Sequence, residues 1–127
     1  MIEFVLDSSA VLADLHGEPG GETVASTYPV ACMSAVNYAE ILTKLIDEGV
    51  PSAQAEDMLE QLRCQVLDAD QHRSALVGLL HAHTRRKGIS IGDRYCLQLA
   101  RELRLPVFTT DRQWSELDLG VDVRLIR

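Results

Sequence analysis

The chain has 127 residues, 46% of them apolar and 24% charged. That suits one soluble globular domain spanning 1–127 and excludes a disordered chain. Nineteen acids against twelve Lys and Arg leave a formal charge of −7. Taken whole, that balance points away from a partner with a phosphate backbone. No apolar run approaches the roughly 18–20 residues of a membrane helix. The opening residues, with Glu3 and no basic segment, are unlike a signal peptide. A cytoplasmic protein with no membrane partner is therefore expected. Cys32, Cys64 and Cys96 form no CxxC pair and read as reduced, buried thiols. Their even spacing is no repeat, because the flanking residues share no pattern.

In chain order, residues 2–6 are a short apolar strand that runs into Asp7-Ser8-Ser9, a helix-capping sequence. Short helices are expected over 10–15 and 22–27, on either side of a Gly- and Pro-containing turn. Residues 29–33 read as a second strand, with Ser34 as the cap of a helix over 35–48. In that helix Tyr38, Ile41, Leu42, Leu45 and Ile46 recur at three- and four-residue spacing. Gly49 and Pro51 end it. A helix over 52–63 follows, then a weak strand over 65–68. A long helix over 71–87 places Leu76, Leu79 and Leu80 inward, and another spans 92–104. Strands over 106–110 and 121–126 enclose a helical turn at 111–117. Strands alternating with helices predict an α/β domain: one mainly parallel sheet with helices on both faces. Ligands of such sheets gather beyond the carboxyl ends of the strands, where the strand order switches.

Acids stand at those ends. Asp7 closes the first strand and Asp111 the strand over 106–110. If these strands are parallel neighbours, both carboxylates lie on one sheet edge; the alternative for each is a helix cap. Asp93, in the first turn of its helix, continues the apolar stripe of Cys96, Leu99, Ala100 and Leu103. A carboxylate so placed needs a pair, a hydrogen bond or a metal, although a helix N-terminus also favours an acid. Glu40 points away from the apolar stripe of its own helix and, by itself, reads as a solvated side chain. Clustered carboxylates stay ionised only with a cation among them. Mg²⁺ and Mn²⁺ suit oxygen ligands and can drive phosphoryl chemistry.

The set Asp7-Ser8-Ser9-Ala10, Asn37-Tyr38-Ala39-Glu40, Gly92-Asp93-Arg94 and Thr109-Thr110-Asp111-Arg112-Gln113-Trp114 resembles a PIN-domain nuclease. Within that family it is most similar to the VapC-type toxins of bacterial toxin–antitoxin pairs. The resemblance spans essentially the whole chain. It implies an endoribonuclease dependent on Mg²⁺ or Mn²⁺ that hydrolyses RNA with metal-activated water, transfer RNA being the commonest substrate class. In that reading Asp7 and Asp93 are the principal metal ligands. Glu40 and Asp111 complete the catalytic acids, with Glu40 turned inward at the sheet edge. Ser9 and Thr109 support the pocket. The resemblance also implies a homodimer and a small antitoxin that blocks the site. The helices at 35–48 and 52–63 offer apolar surface for that partner, unless both stripes are core.

The histidines play no part in this reading. His81 and His83 are about 200° apart around a helix, and His16 and His72 have no partner signal. The bases are uneven: 85–112 carries +4 and the remainder −11. Arg85, Arg86, Lys87, Arg94 and Arg112 are candidate RNA contacts around an acidic pocket; Arg101 and Arg104 share the window. Rival classes fit less well. A signalling receiver domain expects adjacent acids after its first strand and a late Lys, but Ser8-Ser9 follow Asp7 and no Lys follows Lys87. A DxDxT phosphatase fails because Ser9 stands where its second acid belongs. A catalytically silent scaffold of the same fold has no need of all four acids.

Overall fold

The computed structural model describes residues 1–85 and 87–127. Five strands form one sheet: β1 (Phe4–Leu6), β2 (Ala31–Ser34), β3 (Gln65–Leu67), β4 (Val107–Thr109) and β5 (Val123–Leu125). Their order is β3-β2-β1-β4-β5, and every pairing is parallel. The described helices are α1 (Ser8–Leu15), α2 (Gly21–Ala25), α3 (Ala35–Asp47), α4 (Ser52–Leu62), α5 (Gln71–Thr84) and α6 (Ile91–Leu103). The sheet is wholly parallel, as its alternation with helices dictates.

Period-two alternation along each strand divides the core between the two faces. Leu6, Ala31, Met33 and Phe108 pack with Val11, Val24, Ile41, Leu45 and Leu59, from α1 to α4. Val5, Cys32 and Val107 point the opposite way, onto Leu80, Cys96, Leu97, Leu99 and Trp114. The α5–α6 pair thus covers one face and the first four helices the other. Cys32 and Cys96 are buried and Cys64 is partly so, all three free.

Several elements differ from the sequence reading. The expected strand start at Pro29 is a 3-10 turn over Tyr28–Val30, and β2 begins only at Ala31. Thr27 and Ser26 hold that turn by donating to the Val24 and Thr23 carbonyls. The α5 helix stops at Thr84, so the basic run beyond it is not helical in its described part. Leu79 is not inward but 71% exposed. The buried line of α5 is Val77, Leu80 and Thr84; a residue adjacent to Leu80 is rotated about 100° from it. Ile46, expected on the core face of α3, is 44% exposed. All four histidines lie at the surface, His16 bonded to Glu48 at 2.9 Å.

Candidate active site

The register of β1 and β4 builds the first half of the site. Leu6 lies beside Phe108, and the Asp7 amide donates to the Phe108 carbonyl at 3.0 Å. Asp7 and Thr109 therefore leave the sheet side by side, where the strand order switches. Asp7 occupies the cap position of α1, yet its side chain makes no capping hydrogen bond. Its carboxylate instead receives two hydroxyls on one oxygen, Oδ2: Ser9 Oγ at 2.6 Å and Thr109 Oγ1 at 2.8 Å. Each hydroxyl spends its single proton there. Each then accepts from the backbone, Ser9 from the Thr110 amide at 3.0 Å and Thr109 from the Asp111 amide at 3.1 Å. Ser9 and Thr109 thus tie the end of β4 to the start of α1 and aim Asp7. The supporting role assigned to both hydroxyls has this geometry.

Asp7 is 5% exposed. Burial pushes its pKa up to about 6, against the pull of the two hydroxyls, and the nearby charge of Asp93 adds to the rise. Asp93 is also raised, first by burial and then by Asp111 and Glu40. It closes a capping box on α6: its Oδ2 accepts from the Ser90 amide at 3.0 Å, and its own amide donates to Ser90 Oγ. Asp111 caps the 3-10 turn over Arg112–Glu116, with Oδ1 accepting from the Gln113 amide at 2.9 Å. The capping alternative thus holds for one oxygen of Asp93 and of Asp111, and fails for Asp7.

Glu40 is exposed, yet its carboxylate is tethered at the cleft. Its Oε1 accepts from Ser8 Oγ and from Asn37 Nδ2, both at 2.8 Å. Asn37 is fully buried. It binds the α3 cap through Ser34 Oγ and donates to the Gly92 carbonyl at 3.1 Å. It so fastens α3 to the first turn of α6 and steers Glu40 toward Asp93. Gly92 makes this approach possible, since a Cβ there would overlap the Glu40 carboxylate. Asn37 and Ser8 had no role in the sequence reading. The usable signal was the three-residue spacing from Asn37 to Glu40, one turn apart on the same helix.

Asp7, Ser8, Ser9, Leu12, Glu40, Lys44, Asp93, Thr110 and Asp111 line one cleft of about 480 Å³. All four predicted acids therefore share it. None of the predicted bases that the structure describes lines it. Arg85 and Lys87 line a separate hollow with Ala82 and His83, and Arg86 lies outside the described residues. The Arg94 guanidinium turns into the protein and donates to the Val77 carbonyl on α5 at 3.0 Å. Arg112 is exposed beside Asp111. Arg101 and Arg104 line a hollow with Pro106, which precedes β4, at the sheet edge opposite the cleft.

The cleft offers only carboxylate and hydroxyl oxygens besides Lys44, a donor set that fits Mg²⁺ or Mn²⁺ and not a soft metal. No three Asp, Glu, His or Cys among the described residues are gathered closely enough to hold an ion by themselves.

A parallel sheet whose switch point opens on an acid-lined cleft is common to this chain and the receiver class, and the strand order separates them. There the second strand is at the edge and the first pairs with the third; here β3 lies outside β2 and β1 pairs with β4. The chain belongs to the PIN domain family, whose model matches residues 4–119. Solved structures of similar fold include DNA-bound VapBC from Salmonella typhimurium, at TM-score 0.78 and 19% identity over 100% of both chains. VapBC2 from Rickettsia felis, bound to a promoter DNA fragment, matches at TM-score 0.74 and 15% identity over 98% of both chains. VapBC-1 from nontypeable Haemophilus influenzae matches at TM-score 0.75 and 19% identity, over 99% of this chain and 98% of that one. At these identities the likeness establishes the fold. No curated protein matches the chain in sequence. Among the described residues, no helix is long and apolar enough to cross a membrane.

Proposed function

We propose that the chain is a divalent-metal-dependent endoribonuclease, the toxin half of a VapC-type toxin–antitoxin pair. The observation that carries this reading is Asp7. It is an almost fully buried carboxylate that caps nothing, is oriented by two hydroxyls and faces a cleft with three further acids. Burying it without a compensating cation is costly. Asp7 and Asp93 are the residues that hold Mg²⁺ or Mn²⁺, and each has an oxygen outside the hydrogen bonds that fix it. When bound, such an ion lowers the pKa of its water and neutralises charge on a phosphodiester. Glu40, positioned by Ser8 and Asn37, and Asp111, positioned by its capping bond, orient the attacking water and accept its proton. Arg112 meets RNA at the cleft rim. Arg85 and Lys87, which line a separate hollow, contribute contacts away from the reacting phosphate.

The partner is a small antitoxin that covers the cleft, and the toxin itself is a cytoplasmic homodimer. Support for the antitoxin comes from the fold neighbours, which are VapBC complexes. Transfer RNA is the first substrate class to test.

Purified protein incubated with an RNA pool should cut in Mg²⁺ or Mn²⁺ and stop in EDTA. Asp7→Ala and Asp93→Ala should each abolish cutting. Cleavage that persists in EDTA and in both variants overturns the reading. Expression of the chain should arrest growth, and the same substitutions should relieve the arrest; growth without arrest while the protein cuts RNA in vitro points to a housekeeping nuclease.

A further inference from the structure

We infer that Lys44 is a substrate-binding residue of this cleft, holding a phosphate of the RNA strand next to the one cut. The inference rests on the nuclease reading. Among the described residues lining the cleft, Lys44 is the single base beside Asp7, Glu40, Asp93 and Asp111. It stands four residues after Glu40 on α3, so the two side chains share a helix face. Lys44 is exposed and forms no ion pair with any described residue. This is unexpected for an ammonium in an acidic cleft, unless the cleft is built for an incoming anion.

The placement of the other bases sharpens the assignment. Arg94 is engaged with Val77, and Arg85 and Lys87 open onto another hollow. An RNA strand entering the cleft brings a negative charge at every nucleotide. The catalytic acids repel all of them, and an ion held by Asp7 and Asp93 would offset charge at the reacting phosphate. A neighbouring phosphate needs a protein cation on the cleft wall, and a flexible ammonium serves as a point charge for it. Lys44 lies where α3 passes from the cleft to a shallow, more apolar hollow lined by Val36, Ala39, Thr43 and Asp47. A lysine that lines both hollows can rest its alkyl stem on the apolar one and offer its ammonium to the cleft.

The test is steady-state cleavage of a fluorescein-labelled single-stranded RNA in Mg²⁺ by wild type, Lys44→Met, Lys44→Arg and a control, Arg124→Met, whose arginine pairs with Asp122 away from the acids, across a salt series. Loss of one charge-assisted phosphate contact should raise KM about tenfold and change kcat less than about threefold. The slope of log(kcat/KM) against log salt should fall by about 0.7, one phosphate contact on a single strand. Lys44→Arg should restore KM and slope, Arg124→Met should change neither, and the Mg²⁺ concentration for half-maximal rate should be the same in all four. If Lys44→Met cuts with wild-type KM and salt slope, the inference is overturned while the nuclease reading stands. The same holds if Lys44→Met only tightens Mg²⁺, which makes Lys44 a counter-charge to the acids, or only loses a protein inhibitor. If wild type cuts nothing, the nuclease reading falls and this inference falls with it.

Discussion

Asp7→Asn should make the metal-free protein more stable while destroying its activity. The wild-type carboxyl is held at a pKa of about 6 against an ordinary value of 3.8. That rise of about two units corresponds to roughly 3 kcal/mol of stability lost in the ionised state. The sign follows from proton binding. The folded carboxyl binds its proton more tightly than the unfolded one, so the favourable contribution is complete below pH 3.8. It is lost progressively as pH rises through about 6. At neutral pH the metal-free protein therefore carries the whole cost. Asn has the same shape, keeps an acceptor for Ser9 and Thr109 and carries no charge to desolvate or to repel Asp93. Urea unfolding in EDTA at pH 7.5 should show Asp7→Asn more stable by up to about 3 kcal/mol, with an unchanged m value. Wild type should recover roughly half of that on going to pH 5, and the variant should gain much less. Adding Mg²⁺ should reverse the ranking, because only wild type gains binding energy from it. A metal-free Asp7→Asn that is less stable than wild type at pH 7.5 refutes the reasoning, as does wild-type stability that stays flat between pH 5 and pH 7.5.

Three further outcomes follow from the geometry. Gly92→Ala should leave stability within about 1 kcal/mol of wild type, because the obstructing atoms belong to a mobile side-chain end and Ala favours a helix over Gly. It should nevertheless cut cleavage on the order of 10²-fold by displacing the Glu40 carboxylate; unaltered kinetics would remove Glu40 from the machinery. Asn37→Ala strips bonds from Ser34, Glu40 and Gly92 inside the protein and should cost about 2–4 kcal/mol in urea unfolding. Leu79→Ser should stay within about 0.5 kcal/mol of wild type, while Leu80→Ala should cost about 2–5 kcal/mol. Similar losses at both positions would contradict the exposed setting of Leu79.

What could be read ahead of the structure was whatever obeys a local period or a strand end. Asp7 and Asp111 each follow a short β-branched or aromatic run, so their meeting needed only that β1 and β4 be parallel neighbours. The two-faced core is likewise the alternation of Phe4-Val5-Leu6 and Val107-Phe108 made visible. What depended on a second element could not be read. Glu40 lies off the apolar stripe of α3, and a helix considered alone assigns that face to water. In the fold the face meets the start of α6, and Gly92 leaves room for it. Arg94 failed for the same reason in reverse: its neighbour in sequence is a cleft acid, but its own side chain turns to α5. Net charge was the least informative quantity. The described bases of 85–112 spread over several surfaces, while the one cation among the described residues lining the cleft, Lys44, comes from the acidic remainder.

The pairing of β1 with β4 also sets when the molecule becomes capable of anything. Asp7 and its partner Thr109 are 102 positions apart along the chain. At about 5–20 residues per second, the ribosome adds Thr109 some 5–20 s after Asp7. Until then β1 has no β4 beside it, Asp7 lacks one of its two hydroxyls, and Asp111 does not exist. A nascent or proteolysed chain that ends before β4 therefore carries three of the acids without the cleft that unites them. The cleft is completed only late in synthesis, and on the proposed reading an inhibitor already present would have that interval in which to meet the chain.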